Sequence, residues 1–272
     1  MAIMNPKISI ITVCYNSSKT IRRTLESVLN QTYTNIEYIL VDGKSTDDTV
    51  AIIEEYASLC TAKGITYRWM SEPDSGIYDA MNKGIKMATG EWIGIINSDD
   101  WYELDACEQL VMNLNHAIEF DIFAGGIYQF VHVGNQTYYQ ITTPSLEQIN
   151  TKMTLCHPAV FVKVNLYAEK LFDASYKIMA DWALMKYFVS KKAKFLLTDK
   201  LLANFTEGGI SSQRNLCFYR EWIRVLKITH KISAYYIVGM VVFRKEILAR
   251  LKPRWFTKYR QQQILQRLYK KL

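Results

Sequence analysis

The feature that most constrains the fold is the regular alternation of strand-like and helix-like segments over the first hundred residues. Strand-like segments lie at 7–13, 36–41, 66–71 and 92–96, and the first of them is short, apolar and rich in β-branched residues. Between them apolar residues recur at helical spacing, beginning with a helix that we expect Ser17 or Ser18 to cap. Strict β–α alternation is typical of a mostly parallel sheet with right-handed crossovers. We therefore predict an α/β fold with a Rossmann-like central sheet flanked by helices.

The pattern changes from about residue 120. Two strand-like segments, 120–133 and 136–141, predict a hairpin through Gly134 and Asn135. The further predicted elements before residue 211 are a strand at 159–164, a helix at 179–189 and a pair of short strands at 195–205. Three longer helices are predicted at 213–230, 234–250 and 257–271.

Charge distinguishes the end of the chain from the rest. Ten basic residues and one acidic residue lie between 244 and 272, a local net charge of +9 against +7 for the whole chain. Trp255, Phe256 and Tyr259 are interleaved with them, which suits a helix lying on an anionic membrane surface. The alternative is a solvated basic helix packed on the body. The apolar run at 232–243 is too short to span a membrane, which needs ~20 residues.

Cysteine usage and the N-terminus bear on the compartment. The five cysteines are odd in number and scattered, with no CxxC pair, so neither a disulfide framework nor a zinc site is expected. The first residues lack a basic region before the apolar segment, so we expect no signal peptide. No nucleic-acid-binding motif occurs, and we expect no nucleic-acid partner. These features predict a cytoplasmic chain, peripheral on the inner face of the plasma membrane.

Acidic residues follow two of the predicted strands. Asp42 is followed by Gly43, which permits a tight turn and close approach of a ligand. Asp99 and Asp100 are adjacent carboxylates, whose repulsion a divalent cation would relieve. Because ligands of parallel sheets bind beyond the carboxyl ends of the strands, we expect both loops to share a ligand. The alternatives are ordinary turn chemistry at Asp42 and an Asp pair that caps a helix starting near Tyr102.

Two residues of the second half are also candidates. His157 stands before Pro158 between predicted elements, where a lone histidine is more often structural than catalytic. Asp181 begins a predicted helix in apolar surroundings. It is either a helix-end acid, favoured by the macrodipole, or a positioned general base. Local features alone favour the structural reading of both residues.

Several motifs, taken in order, resemble those of the family 2 glycosyltransferases, which are inverting enzymes with the GT-A fold. The similar segments are 12–16 (TVCYN), 26–33 (ESVLNQTY), 41–49 (VDGKSTDDT), 72–84 (EPDSGIYDAMNKG), 90–92 (GEW) and 97–100 (NSDD). Shorter matches resemble the branch that builds bacterial surface polysaccharides, namely 157–158 (HP), 181–182 (DW) and 208–211 (GGIS). The resemblance covers about residues 7 to 210.

The resemblance implies a domain organisation and a set of roles. It implies a GT-A domain over 1–211, with a nucleotide-binding half (1–100) and an acceptor half (101–211), followed by a helical extension (212–272). Asp181 would be the catalytic base, and Asp99 and Asp100 would hold Mn²⁺ or Mg²⁺. The residues expected to bind the donor are Thr12, Tyr15, Asn16, Asp42, Gly43, Asp74, Asn82, Ser98, Asp99 and His157. The donor would be a UDP-hexose or UDP-N-acetylhexosamine, and the acceptor a glycan, lipid-linked at the membrane.

The chain departs from the family pattern at two positions. Asn97 stands where the DxDD form of the metal motif has an aspartate, and Ala180 stands where a glutamate often precedes the base. A non-catalytic nucleotide-sugar or glycan-binding module on the same fold is therefore the alternative. A nucleotidyltransferase is disfavoured, because no glycine-rich triphosphate loop of the GxxxxGK[ST] or GxGxxG type occurs.

Overall fold

The computed structural model describes residues 5–116, 119–133, 136–208, 215–227 and 270–271. Within these ranges the strands form one mixed sheet, and helices cover both of its faces. The helix predicted at 234–250, the hairpin turn at Gly134 and Asn135, and the domain boundary at residue 211 lie outside the described residues.

The first half follows the predicted alternation. Its elements are β1 (Ile8–Cys14), α1 (Ile21–Leu29), β2 (Ile36–Asp42), α2 (Thr49–Ala62), β3 (Thr66–Ser71), α3 (Ile77–Met87) and β4 (Trp92–Asn97). The strands lie in the order β3-β2-β1-β4, and all are parallel. β1 and β2 are buried along their whole length, as strands covered by helices on both faces must be.

Side-chain alternation along β1 divides the core into two layers. Ile11 belongs to the cluster on the α3 face, with Met81 of that helix. Ile10 belongs to the opposite cluster, with Leu25 of α1 and Ile53 of α2. Because successive side chains of a strand point to opposite faces, a single apolar run supplies both layers.

The second half extends the sheet with mostly antiparallel strands. Its elements are β5 (Trp101–Tyr102), α4 (Ala106–Leu114), β6 (Ile122–Val133), β7 (Gln136–Thr142), a 3₁₀ turn (His157–Ala159), β8 (Val160–Lys163), α5 (Val164–Glu169), α6 (Ala180–Ser190), β9 (Phe195–Thr206), α7 (Leu216–Lys227) and β10 (Lys270–Lys271). β8 runs antiparallel to both β4 and β6, and β7 is antiparallel to β6, as the predicted hairpin required. Among the described residues of this half, only the β6–β9 pair is parallel, so the mostly parallel part of the described sheet is β1–β4.

Five predictions about individual elements are corrected. The short strands predicted at 195–205 are one strand, β9, whose register shifts opposite Gly125 and Gly126. The helix predicted to start near Tyr102 starts at Ala106, and Tyr102 lies in β5. The strand predicted at 159–164 covers Val160–Lys163, because Ala159 ends a 3₁₀ turn and Val164 begins α5; residues 270–271, predicted as helix, pair with β7 as a strand. The N-cap of α1 is Thr20, without a side-chain capping bond.

The buried carboxylate of Glu37 connects the amino ends of the first strands. Glu37 of β2 is fully buried, and its oxygens accept hydrogen bonds from Ser9, from the Thr89 hydroxyl (2.9 Å) and from the Gly90 amide (3.0 Å). Arg68 of β3 donates to it at 2.7 Å. Burial alone would raise the pKa of Glu37, but these hydrogen bonds outweigh it and hold the pKa at about 2.

The first helix of the predicted C-terminal extension packs on the body. Val225 and Leu226 of α7 are buried in the same cluster as Met185 and Phe188 of α6. Among the described residues, no helix is both long and apolar enough to cross a membrane.

Candidate functional site

The carboxyl ends of the parallel strands meet at one edge, which we call the carboxyl rim. Cys14, Asp42 and Ser71 are in register across β1, β2 and β3, and Asn97 of β4 pairs with Val13. The loops after β2 and β4 therefore emerge side by side. The prediction that both acidic loops lie on the same rim is confirmed.

Asp42 organises the loop that follows β2. It is fully buried, and its Oδ2 accepts hydrogen bonds from the Ser45 amide (2.9 Å) and the Ser71 hydroxyl (2.6 Å). The Ser45 hydroxyl donates to the other oxygen. These contacts fix the turn at Gly43. The predicted contact of Asp42 with a nucleotide stays a prediction, because its oxygens are engaged by serines here.

Gly43 allows a close approach of three groups. A Cβ atom at this position would lie 2.5 Å from Asp74 Oδ2 and 3.4 Å from the ring of Tyr15. Asp74 is held by the Gly76 amide, which donates to its Oδ1 at 2.8 Å. The Tyr15 side chain is 62% exposed. An exposed aromatic ring can stack on a planar base, and a carboxylate beside it can accept hydrogen bonds from hydroxyl groups.

Two more predicted residues connect the loops of the rim. Asn16 adopts a positive φ of 49°, and its side-chain oxygen accepts a hydrogen bond from the Thr46 amide at 2.9 Å. The backbone amide of Asn16 donates to the Ser45 hydroxyl at 2.8 Å. Ser98 donates to the Ser17 hydroxyl at 2.8 Å, which ties the β4 loop to the β1 loop. Both residues thus position the loops that surround Gly43.

The acidic pair follows β4 as predicted. Asp100 is fully buried, and its carboxylate accepts hydrogen bonds from the Thr206 amide (3.2 Å) and the Asn97 side-chain amide (3.3 Å). Burial and the charge of Asp99 raise its pKa well above the ordinary value. Burial also raises the pKa of Asp99, and the nearby charge of Arg23 opposes that shift. Two carboxylates held in this way favour a cation between or beside them.

The chemistry of this loop fits a hard divalent cation. Asn97 Oδ1 is buried and has no hydrogen-bond partner among the described residues. An amide oxygen in a segment that also carries two carboxylates is the kind of ligand that Mg²⁺ and Mn²⁺ accept. In the described part of the chain, no three histidine, cysteine, aspartate or glutamate side chains converge as a metal cluster. A cation here would therefore depend on ligand oxygens, such as those of a diphosphate, to complete its shell.

Arg23 is a site residue that the sequence did not reveal. Its guanidinium lies 3.4 Å from the centre of the Trp101 ring, and Nη2 donates to the Asp99 carbonyl at 2.9 Å. It therefore holds the acidic loop from the α1 side and places a positive charge beside it. No local pattern distinguishes this arginine from the neighbouring Arg22, which pairs with Glu55 on the surface.

Asp181, His157 and Tyr78 form a second group, which we call the base cluster. Tyr78 Oη lies 2.7 Å from the Ile178 carbonyl and 3.3 Å from Asp181 Oδ1, and the Trp182 amide donates to Asp181 at 2.8 Å. Burial raises the pKa of Asp181, and His157 opposes the shift. Burial lowers the pKa of His157, and Asp181 opposes that shift. A carboxylate with a raised pKa beside a histidine suits acid–base chemistry.

The base cluster is connected to the carboxyl rim through α3. Tyr78 lies in the first turn of this helix, directly after the turn that contains Asp74 and Gly76. The ring of Phe172 stacks on Tyr78 at 5.5 Å between centroids and meets His157 edge-on at 5.8 Å. The sequence places Tyr78 only as an apolar position of the helix, so its role in the cluster was not predicted.

Two predicted donor-binding residues are directed elsewhere. The Thr12 hydroxyl is buried 3.0 Å from Tyr38 Oη, in the core under α1 and α2. The Asn82 side chain bonds both the amide (3.0 Å) and the carbonyl (2.9 Å) of Phe172. Both side chains are occupied by protein partners, so Asn82 supports the base cluster by holding Phe172 in place.

The fold and this rim define an α/β protein that can bind a ligand at its strand ends, and comparisons with known proteins specify which kind. Residues 9–172 match Glycosyl transferase family 2. A protein of Mycobacterium bovis named PGL/p-HBAD biosynthesis glycosyltransferase is 26% identical over 249 residues, which are 90% of this chain and 93% of that protein.

Solved structures agree on the fold. S. aureus TarS 1-349, in complex with UDP-GlcNAc, matches with a TM-score of 0.63 at 22% identity, over 82% of this chain and 66% of that chain. The mannosyltransferase PcManGT from Pyrobaculum calidifontis, in complex with GDP-Man and Mn²⁺, matches with a TM-score of 0.56 at 15% identity, over 87% of this chain and 65% of that chain. The predicted GT-A fold is confirmed. The chain belongs to glycosyl transferase family 2 and is a glycosyltransferase.

Proposed function

We propose that the chain transfers a sugar, with inversion, from a UDP-hexose or UDP-N-acetylhexosamine to a hydroxyl group of a glycan. The observation that carries the proposal is the presence of three parts: the close approach of Tyr15 and Asp74 to Gly43, the acidic loop after β4, and the buried Asp181. Family membership supports glycosyl transfer. TarS, which was solved with UDP-GlcNAc, supports a UDP-linked donor.

The donor nucleotide would lie across the carboxyl rim. The exposed ring of Tyr15 would stack on the base, and Asp74 would accept hydrogen bonds from the base or the ribose. Gly43 leaves the space for this approach, since any side chain there would overlap Asp74. Asp42, Asn16 and Ser98 would hold the loops in this arrangement. Thr12 and Asn82 are also expected to bind the donor, but their hydrogen bonds to Tyr38 and Phe172 would make them supports of the site.

A divalent cation, Mn²⁺ or Mg²⁺, would bind at Asp99 and Asp100. When bound, it would neutralise the charge that develops on the leaving diphosphate. The buried Asn97 Oδ1 and the raised pKa of Asp100 both support a cation at this loop. PcManGT, which was solved with Mn²⁺, supports the same conclusion from a protein of the same fold.

Transfer would proceed as a single in-line displacement. The acceptor oxygen forms a bond to the anomeric carbon while the bond from that carbon to the phosphate oxygen breaks, and the nucleoside diphosphate leaves. The Asp181 carboxylate takes the proton of the acceptor hydroxyl. The raised pKa of Asp181 makes it a stronger base than an exposed aspartate, and His157 and Tyr78 would hold its orientation.

The acceptor would be lipid-linked, in the synthesis of a bacterial surface polysaccharide such as O-antigen or capsule. The support for this is the basic segment at 244–272, which would hold a cytoplasmic enzyme on the inner face of the plasma membrane. Deleting residues 244–272 should move the protein from the membrane fraction to the soluble fraction. An unchanged distribution would remove the support for a membrane acceptor.

The experiment that tests the proposal is a donor panel. UDP-glucose, UDP-galactose, UDP-N-acetylglucosamine, GDP-mannose and a dTDP-sugar are each incubated with the full chain, with Mn²⁺, Mg²⁺ or EDTA, with and without alkyl glycosides as acceptors. Release of nucleotide is followed. We expect metal-dependent release from one UDP-sugar, increased by an acceptor.

The Asp181→Asn variant is the internal control for the sugar-transfer step. A general base contributes ~10²–10⁴ in rate, so the variant should bind UDP normally and lose almost all acceptor-dependent release. Normal turnover by Asp181→Asn would contradict the assignment of the base. UDP binding by the wild-type chain with no release from any donor, with or without glycoside, would favour a non-catalytic nucleotide-sugar-binding module.

A further inference from the structure

Glu221 of α7 makes an unusual set of contacts with the segment before α6. It is buried, with 7% of its surface exposed. Its Oε1 accepts a hydrogen bond from the Lys177 amide at 2.7 Å, and its Oε2 accepts from the amides of Ile178 (2.9 Å) and Met179 (3.0 Å). One carboxylate therefore binds three consecutive backbone amides, which immediately precede the helix that carries Asp181.

The amides that lead into α6 are bound from outside the helix. Its N-cap residue, Met179, makes no side-chain capping bond. Amides at a helix start lack intrahelical partners and carry a partial positive charge. A carboxylate satisfies both needs, since hydrogen bonds to an ionised acceptor are roughly twice as strong as neutral ones. A side chain of the following helix, α7, thus binds the N-cap amide of α6 and the two amides before it.

The same segment is held from its other side by the base cluster. The Ile178 carbonyl accepts a hydrogen bond from Tyr78 Oη at 2.7 Å, and Tyr78 Oη is also 3.3 Å from Asp181 Oδ1. Glu221 holds the Ile178 amide while Tyr78 holds its carbonyl. With the peptide units on both sides of the Ile178 Cα held in this way, the direction in which Asp181 leaves the first turn is fixed as well.

Other contacts dock α7 without touching this segment. Arg224 pairs with Asp173 at 2.8 Å and lies 3.9 Å from the centre of the Tyr176 ring. Lys186 of α6 donates to the Val225 carbonyl at 3.1 Å. Docking of the helix and capping of residues 177–179 are therefore carried by different side chains, and a substitution can separate them.

We propose that Glu221 is a positioning residue for the transfer reaction: by capping residues 177–179 from α7, its carboxylate sets the orientation of Asp181 towards the acceptor hydroxyl. This inference rests on the proposed role of Asp181 as the general base. It also makes α7, which precedes the basic C-terminal segment, a part of the active-site support.

The first test compares Glu221→Gln with Arg224→Gln in the full chain. Glutamine keeps the shape of the side chain but removes its charge and turns an NH₂ group towards the amide donors. A displacement of about 1 Å can cost ~10²-fold in rate, so acceptor-dependent kcat should fall about 10- to 100-fold. The KM for the UDP-sugar should change less than about twofold, because Gly43 and Asp74 are untouched. Arg224→Gln, which weakens docking alone, should keep kcat within about twofold of wild type.

The second test is a double-mutant cycle with Asp181→Asn, with UDP-N-acetylglucosamine or the donor that the panel selects, and an alkyl glycoside as acceptor. If Glu221 acts through Asp181, Glu221→Gln should lower the residual rate of Asp181→Asn by less than about twofold. UDP affinity checks that each variant is folded. Glu221→Asp, which keeps the charge but has a shorter reach, replaces Glu221→Gln if the latter does not fold, and a smaller loss of kcat is expected.

Three results would overturn the inference: wild-type kcat in the Glu221 variant, an equal loss in Arg224→Gln, or the same fold-loss in the presence and absence of the Asp181 carboxylate. The failure of the proposed function gives a different pattern, in which Asp181→Asn itself retains normal transfer. Loss of transfer in Asp181→Asn with wild-type kcat in Glu221→Gln would reject the positioning role alone.

Discussion

Replacing Glu37 by glutamine should remove a pH-dependent part of the free energy of unfolding. This carboxylate is fully buried at the amino ends of β1 and β2, where Ser9, Thr89, Gly90 and Arg68 donate hydrogen bonds to it. They hold its pKa at about 2, against 4.5 for the free side chain. Since one pKa unit is about 1.4 kcal/mol, the ionised carboxylate contributes about 3 kcal/mol to the free energy of unfolding at neutral pH.

The sign of the pH dependence follows from the lowered pKa. The contribution is complete above the unfolded value of 4.5 and is lost as the pH falls towards about 2. At about pH 3, roughly 2 kcal/mol should already be gone, because the unfolded chain binds the proton and the folded chain does not. The Glu37→Gln variant lacks this group, so acid should destabilise it less steeply than wild type.

Urea unfolding, followed by circular dichroism at several pH values between 7 and 3, measures the difference directly. The contributions of the other carboxylates to the free energy of unfolding cancel when the curve of Glu37→Gln is subtracted from that of wild type. Glu55→Gln is the matched control, because Glu55 pairs with Arg22 at 2.6 Å on the surface, where a pair contributes at most about 1 kcal/mol. If the curves of wild type and Glu37→Gln ran parallel over this range, or if Glu55→Gln gave a difference of the same size, the reasoning would be refuted.

Three further outcomes are expected at the site. Gly43→Ala should weaken UDP binding roughly 10- to 100-fold in calorimetric titration, because the new Cβ would lie 2.5 Å from Asp74 Oδ2 and push it away by about 1 Å; unchanged affinity would contradict this. Asp100→Asn should lower Mn²⁺ affinity at least about tenfold yet raise Tm in EDTA, since burial and the Asp99 charge oppose ionisation; a lower Tm would argue against it. The kcat/KM for transfer should fall as the pH is lowered, with a midpoint above 3.8, because burial raises the pKa of Asp181. A kcat/KM that stays constant down to about pH 4 would exclude Asp181 as the base.

The parallel half of the fold could be predicted from the sequence because its signals are local. Continuous β-branched runs and helical spacing define β1–β4 within one or two residues, and the carboxyl rim follows from their parallel order. β9 could not be predicted as one strand, because Thr198, Asp199 and Lys200 suggest a turn. The strand continues through a register shift opposite Gly125 and Gly126, where a Cβ on Gly125 would overlap Leu202.

Motif position and side-chain direction are separate properties, and the sequence gives only the first. Tyr15 and Asp74 lie at the surface of the rim beside Gly43, as the motif implies. Thr12 and Asn82 belong to the same motifs, but they bond to Tyr38 and to the Phe172 backbone inside the protein. Which side of a strand or helix meets a ligand depends on the elements packed against it, and these come from distant parts of the chain.

The two buried glutamates have a common physical basis that no local pattern reveals. Glu37 and Glu221 each bind backbone amides of a turn more than forty residues away, at Thr89–Gly90 and at 177–179. In both cases the turn precedes an element that leads to a predicted site acid: β4 is followed by Asp100, and α6 contains Asp181. A buried carboxylate is costly unless it is fully hydrogen-bonded, and backbone amides supply such bonds in both cases, joined at Glu37 by the charge of Arg68. Such glutamates therefore fix the backbone where a strand or helix begins, on the path to Asp100 and to Asp181, two acids that the proposed mechanism uses.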